Sequence, residues 1–595
     1  MYNLKINLKL TIILFIAAII RFFKIGFQGI WIDEIHTVLE SDPRLSLKEF
    51  NEIIMAREGL PHLYFLICRS FRYFITDEIF AIRMVSAIAG ILSVYFMYLL
   101  GKKIKNETLG YIAAILVSFH PFLIEHSQDG RSYMLMTLFM IISIYRLILF
   151  IDRPTLLNAV FLGSVTGLIA NFHTIGVLNI GIIYLILLLK ILITKPFGKR
   201  LFKFSFLSGI ITIIFLIPVL PIFLKMSEIK SHWVQAATID TFLDTMSIIS
   251  GYNLYLYLLS IVSLIVINVL CIKQKEYRTI VLILDVWILI VTSVITLKSI
   301  IGPSLMLHRY FITLIPAFIL VIAMFLNLIK NSYLKYISVT IVSLVLFLNF
   351  AINREYYTLR HKSQFEVVTN YISLSTDKSI KKVSNWGWLL SYFFKTDETT
   401  ESVKEQSLET YIQDMKDNKI NKNSFWYIDG GARDYNLDKG LENYLLENFT
   451  VKDSVKAFDA WAKLFISKNK EETFIELSQF KDALFDGTGS LILVQNSSFD
   501  YDKLELESGK YSLTVTGISL PEVPINNENA HLILYNENQK LGDFYLDNKA
   551  YTPITIEFLV PSNTLKLRIE YDNDLNENGL DRNAIIKSII LNKID

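Results

Sequence analysis

Three short stretches carry the residues whose types and spacing could do chemistry. Trp31-Ile32-Asp33-Glu34 follows the first apolar run of the chain. Glu125-His126-Ser127-Gln128-Asp129-Gly130-Arg131 falls between the third and fourth runs, and His308-Arg309-Tyr310 opens the tenth, with Lys298 shortly before it. Ionisable groups at the ends of membrane-length segments are costly and point to function. A carboxylate in such a place can take a proton from an acceptor as general base, and Arg or Lys can hold a departing phosphate. Each cluster also has an ordinary reading by itself. Asp33-Glu34 can be a solvated helix cap, Asp129/Arg131 a local ion pair, His308/Arg309 an interfacial anchor, and His173 a satisfied polar residue in a turn. Their expected placement on one membrane face is what argues for a shared site.

The elements that must position these residues are apolar runs of the length a bilayer core demands of a helix, about 17–25 residues. They fall at 8–25, 79–100, 108–124, 132–151, 156–172, 174–194, 203–224, 249–272, 279–297, 309–329 and 333–352, which predicts eleven spans. The first is not read as a cleaved signal, because bulky Phe22, Phe23 and Trp31 follow it. Between the first two runs, 45–56 and 61–75 read as amphipathic helices on the membrane surface.

Composition supports this division. The 595 residues are 52% hydrophobic and only 19% charged, below the roughly 25% of soluble domains, which excludes a single soluble globule. The net charge of +2 hides 30 Lys/Arg against 18 Asp/Glu in residues 1–352 and 28 against 38 beyond them. The front's basic residues sit in short loops: Lys102, Lys103 and Lys105; Lys195, Lys199, Arg200 and Lys203; Lys273, Lys275 and Arg278; Lys330 and Lys335. With eleven spans these loops share the side of the N-terminus, so that side is read as cytoplasmic in a plasma membrane. The three polar clusters and everything after 353 then face outward. Dispersed positive charge gives no argument for nucleic acid. Two cysteines, Cys68 and Cys271, both in or beside apolar segments, exclude a disulfide scaffold.

The ordered set of motifs resembles the polytopic GT-C glycosyltransferases, specifically the protein-mannosyltransferase-like and aminoarabinose-transferase-like group (glycosyltransferase family 39-like). The resemblance covers about residues 8–330. It runs through Arg21-Phe22-Phe23-Lys24-Ile25-Gly26, Trp31-Ile32-Asp33-Glu34, Leu60-Pro61-His62-Leu63-Tyr64, Arg83, Ser127-Gln128-Asp129-Gly130-Arg131-Ser132-Tyr133, His173, and Arg309-Tyr310-Phe311 with Pro316. Leu60-Pro61-His62-Leu63 departs from the family's Pro-Pro-Leu. The resemblance implies inverting transfer of a sugar from a polyprenyl-phosphate donor to a glycan, lipid or protein acceptor on the outer face. It implies Asp33 as general base, Glu34 as its neighbour in the acceptor or metal environment, and Asp129 as a second acidic residue of the catalytic site. Arg131 and Arg309 are implied for the lipid phosphate, with Tyr310, His308, His173, Lys298 and His62 as further substrate-binding candidates. Some relatives bind a divalent metal and others do not, so that point stays open for the membrane site.

Beyond residue 353 no run is long enough to cross. Residues 354–470 mix helical stretches (Phe365 onward, 433–448) with short strands (Phe425–Ile428, Lys463–Ile466), which predicts an outward-facing α/β domain. Residues 471–595 alternate in short strands, which predicts a β-sandwich. Near its end, Tyr571–Asn583 is dense in carboxylates and amides. Asp574, Asp581 and Asn583 suit calcium, although the spacing is not that of an EF-hand. The pattern resembles that of calcium-dependent xylan-binding carbohydrate modules.

Two other function classes are consistent with the composition. A transporter or flippase of lipid-linked sugars predicts Gly/Pro-broken spans in matched halves, and no such repeat is visible. A non-catalytic membrane anchor displaying a carbohydrate-binding domain needs only the tail and leaves the outer carboxylates unexplained.

Overall fold

In the computed structural model the described residues are 7–57, 59–194, 198–227, 234, 236–274, 277–375, 380–394, 403–430, 437–468, 472–501, 504–506, 508–561, 564–577 and 579–593. Lys195, Lys275, Asn578 and the 433–436 part of the expected helix lie outside them. The chain divides into two compact units, Met1–His361 and Lys362–Asp595.

The first unit is a polytopic helical membrane protein. Every expected apolar run is helical, but the runs differ in kind. Among the described residues eight helices are long and apolar enough to cross a membrane. Expected span three is instead a pair, Glu107–Ser118 and Pro121–Ser127, bent by 64°. The break is at His120, which is extended before a proline that opens the next helix. Leu8–Phe22 and Leu156–Phe172 are apolar but shorter. The helix within His308–Asn327 is mostly buried, whereas Leu254–Ile272 and Ser332–Asn353 expose side chains such as Ile265 and Ile341. Apolar exposure of that extent on outer helices is what a lipid solvent permits.

Three shorter helices occupy the first long loop: Ile32–Glu40, Leu47–Arg57 and His62–Arg72. The last two match the expected surface helices to within about three residues at each end. Arginines bind this layer together. Arg69 donates to the carbonyls of Pro43 (3.1 Å) and Leu45, and Arg72 pairs with Glu78 at 2.8 Å. Beneath the layer, fully buried Arg21 donates to the carbonyls of Ala17, Val117 and Ser118, which ties the first helix to the end of Glu107–Ser118.

The second unit opens with a five-stranded sheet in the order 404–405, 381–384, 425–430, 460–467, 449–457. The helices Leu408–Lys416 and Lys439–Asn448 pack into its core through Leu408, Tyr411, Ile412, Leu441 and Leu445. From Glu472 onward the chain is β-rich. A six-stranded sheet around Gly509–Leu520 and Asn583–Lys593 and a four-stranded one around His531–Asn536 and Leu567–Tyr571 share one core. Alternation decides the faces: Tyr511, Leu513 and Val515 point inward and Thr514 points away. Both cysteines are free.

Candidate active site

Ile32–Glu40 begins directly after the first apolar helix, with Asp33 and Glu34 in its first turn, where carboxylates suit the helix dipole. Consecutive residues on a helix point about 100° apart, and here the two carboxylates meet different surroundings.

Glu34 is fully buried. Its Oε1 accepts from Arg83 Nε and from the Gly130 amide, and its Oε2 from Arg83 Nη2, each at 2.7 Å. Arg83 continues to the carbonyls of Ile25 (2.9 Å), Gln28 (2.8 Å) and Gly29 (3.0 Å). This bidentate pair fastens the start of the surface helix to the helix Glu78–Ile104 and to the loop after Ser127. A Cβ at Gly130 would lie 2.5 Å from Ile82 and 3.2 Å from Glu34 Oε1, so a larger residue there would press on both side chains.

Asp33 keeps 23% of its side-chain surface exposed. Arg309 Nη1 donates to its Oδ2 at 2.9 Å, and Arg131 Nε stands 4.0 Å from the same oxygen. Arg131 Nη1 also donates to the Asp33 carbonyl (2.7 Å) and to Thr37 Oγ1 (3.2 Å). The guanidinium of Arg309 lies over the rings of Trp31 (5.4 Å) and Tyr133 (5.8 Å). Asp129 is buried and accepts from Trp31 Nε1 at 2.9 Å, with His126 Nδ1 3.7 Å from its other oxygen.

His173 and Tyr310 extend the same wall. The His173 ring is 5.2 Å from Tyr133 and 5.6 Å from Tyr310, and His308 is 5.6 Å from Phe122, which itself packs on His126 at 4.4 Å. The structure therefore brings together Asp33, Glu34, Asp129, Arg131, His173, His308, Arg309 and Tyr310 from distant parts of the sequence. Two candidates lie elsewhere. Lys298 ends Arg278–Ile301 with its ammonium folded back over Gly302. His62 starts the surface helix His62–Arg72 and bonds Asn51 at 3.0 Å. Burial lowers its pKa below the ordinary imidazole value.

Three participants were not among the expected site residues: Trp31, Tyr133 and Arg83. All three stand inside the quoted motifs, and the signal that could have marked them is a donor or aromatic ring next to each carboxylate or cation. Arg83 and the Gly130 amide engage both Glu34 oxygens, whereas Arg309 takes one oxygen of Asp33 and Trp31 one oxygen of Asp129. Among the described residues no group of three or more His, Cys, Asp or Glu is arranged to hold a metal.

In the second unit, Asp574 and Asn583 each place a buried Oδ1 without a hydrogen-bond partner. The Asn583 amide donates to Asp581 Oδ2 at 3.2 Å. Burial, and then the charge of Asp581, hold the Asp574 carboxyl above the usual range. Two orphaned oxygens beside a second carboxylate fit a hard cation.

This arrangement of membrane helices, with a long first loop of surface helices carrying an acidic site, is the GT-C fold. Residues 60–224 match the model of the family "Dolichyl-phosphate-mannose-protein mannosyltransferase", a match that falls inside the stretch over which the motifs resemble that group. The fold is shared by ArnT from Cupriavidus metallidurans in the apo state (11% identity, TM-score 0.52, 76% of this chain and 97% of that one). It is shared too by the archaeal oligosaccharyltransferase AglB from Archaeoglobus fulgidus, solved with an inhibitory peptide and a dolichol-phosphate (8% identity, TM-score 0.52, 99% and 96%). A xylanase CBM36-1 domain from the hindgut metagenome of Trinervitermes trinervoides aligns with 21% of this chain and 98% of its own at 21% identity, but its TM-score of 0.16 carries no argument. No curated protein sequence matches the chain.

Proposed function

We propose that this protein is a membrane glycosyltransferase that moves a sugar from a polyprenyl-phosphate carrier to an acceptor on the extracytoplasmic face. The observation that carries the reading is Asp33, a carboxylate that reaches solvent while two guanidiniums flank it. The acceptor hydroxyl attacks the anomeric carbon and gives its proton to Asp33. The bond from that carbon to the phosphate oxygen breaks, and the electron pair leaves with the polyprenyl phosphate. A single displacement of this kind inverts the anomeric centre.

Arg309 and Arg131 serve both partners of the step. Without substrate they neutralise Asp33. A lipid phosphate draws them away, which frees the carboxylate as base while the cations stabilise the leaving group. Glu34 in this reading is an anchor: with both oxygens engaged by Arg83 and the Gly130 amide, it holds the helix that presents Asp33. Asp129 orients Trp31 and through it the cation–π seat of Arg309. In the second unit, Asp574, Asp581 and Asn583 would hold calcium, which would tie the loop before Asn583–Lys593 to the neighbouring strand end.

The test uses the purified protein in vesicles with radiolabelled polyprenyl-phosphate sugars and cell-envelope acceptors. Label should leave the lipid and appear on an acceptor with inverted anomeric configuration. Label that crosses the bilayer while still attached to lipid would instead show a flippase and overturn the reading.

A further inference from the structure

A cavity of about 490 Å³ lies inside the second unit, between its five-stranded and six-stranded sheets. That is within the roughly 300–1,000 Å³ of small-molecule sites. Two register irregularities face it. In Asn583–Lys593 the pairing steps from Gly517↔Ile586 to Thr516↔Ser588, which leaves Lys587 as the extra residue of a bulge. In Phe449–Ala457 the pairing steps from Val451↔Phe465 to Asp453↔Leu464, which leaves Lys452 extra. A bulge re-aims one side chain out of the alternation. Both bulges here send a lysine into the same cavity, from sheets built by different parts of the chain.

The two cations share the lining with two carboxylates, Asp453 and Glu476. Lys587 pairs with Asp453 at 3.2 Å and covers the Tyr371 ring at 4.2 Å, and Tyr371 donates to Asp453 at 3.0 Å. Lys452 lies over the Phe474 ring at 4.9 Å, with Glu476 also in the wall. Two ammonium groups are thus balanced by two carboxylates. The remaining polar lining is hydroxyl, from Thr514, Thr516 and Ser588 on the strands and Thr488, Ser490 and Ser478 around the rim. Balanced donors and acceptors, many hydroxyls and two aromatic faces are complementary to a polyol with an apolar ring face. They are poorly matched to a phosphate or carboxylate, which would need a surplus of cations.

We infer that this cavity is a binding site for an uncharged saccharide of one or two rings, with its ring against Phe474 or Tyr371 and its hydroxyls reaching the Lys587–Asp453 pair, Lys452 and Glu476. The site is distinct from the Asp574/Asp581/Asn583 loop, and it does not depend on the transfer reaction proposed above. Burial lowers the pKa of Lys587, so the fold bears a cost to hold this lysine in the cavity wall.

The experiment is calorimetric titration of the full-length protein in detergent with maltose, mannobiose and xylobiose, and in parallel with glucuronate and inorganic phosphate. At least one neutral disaccharide should bind. Ser588→Trp, which fills the cavity, should abolish binding, and Phe474→Ala should weaken it about tenfold through loss of the ring face. Should Ser588→Trp fail to fold, Phe474→Ala decides. No binding of any neutral sugar, binding of glucuronate or phosphate alone, or undiminished binding in a folded Phe474→Ala protein would each overturn the assignment.

Discussion

Arg309 Nη1 donates to Asp33 Oδ2 across 2.9 Å, although 276 residues separate the two. The contact joins the first long loop to the start of His308–Asn327, the most buried of the candidate spans among the described residues, so carboxylate and cation form a single site. Arg309 seats on Trp31 and Tyr133, and in the proposed mechanism it also holds the lipid phosphate, two tasks that only a planar guanidinium combines. Arg309→Lys should therefore keep the charge yet lose about tenfold or more in kcat/KM for the lipid donor, and Arg309→Ala should lose more. Steady-state transfer kinetics check this. Wild-type values in the lysine variant would remove Arg309 from the phosphate site.

Glu34 and Asp33 are neighbours with opposite expected phenotypes. Breaking a buried pair by removing one partner costs about 3–5 kcal/mol. Glu34→Gln and Arg83→Met should each lower the melting temperature markedly in detergent, whereas Asp33→Asn should melt close to wild type. A Glu34→Gln protein that is fully stable yet inactive would return Glu34 to the chemistry.

The front half was legible in the sequence because its determinant is local. A run of apolar residues either reaches bilayer length or does not, and the expected runs are helical along most of their length. What was not legible is how each run ends. His120-Pro121 breaks one run into a bent pair, which leaves the number of full spans undecided by hydropathy alone. At the site, the same face collected Asp33, Asp129, Arg131 and Arg309 as expected, yet it also suggested Lys298 and His62, which lie apart from them. Glu34's engagement could not be read, because its partner Arg83 is 49 residues away and the pairing depends on how two helices pack. The lysine bulges were hidden for a similar reason: register belongs to two strands at once, and no single stretch encodes it.

Calcium should act on the second unit alone. Filling the orphaned Oδ1 atoms of Asp574 and Asn583 would stabilise the folded state by mass action. Adding calcium should raise the unfolding midpoint of the second unit by several degrees, followed by tryptophan fluorescence. Asp574→Ala should abolish that rise. A calcium response that persists in the variant places the ion elsewhere.

Lys587 gives a pH signature. Burial lowers its pKa from the ordinary 10.5, while Asp453 and Asp486 oppose the shift. Tyr371 and Tyr551 also face it, but both hydroxyls are pushed upward by burial and so stay protonated. Below the lowered value the lysine is charged in both folded and unfolded chains, and the cost of burying it is fully present. As pH rises through that value toward 10.5, the unfolded chain binds more protons than the folded one, so stability increases. Denaturant titrations of wild type and Lys587→Met from neutral pH upward should show their difference moving in favour of wild type. A difference independent of pH would mean that Lys587 titrates as it would in water.

The central claim is that Asp33 is the base. Asp33→Asn keeps size and shape and can still accept from Arg309, so folding and donor binding should persist. The decisive measurement is single-turnover transfer from a polyprenyl-phosphate sugar by the purified Asp33→Asn protein, with donor binding measured on the same sample. The prediction is a loss of about 10²–10⁴-fold in the chemical step, the range general-base catalysis contributes, with donor affinity retained. Turnover at the wild-type rate in a folded, donor-binding variant would contradict the account.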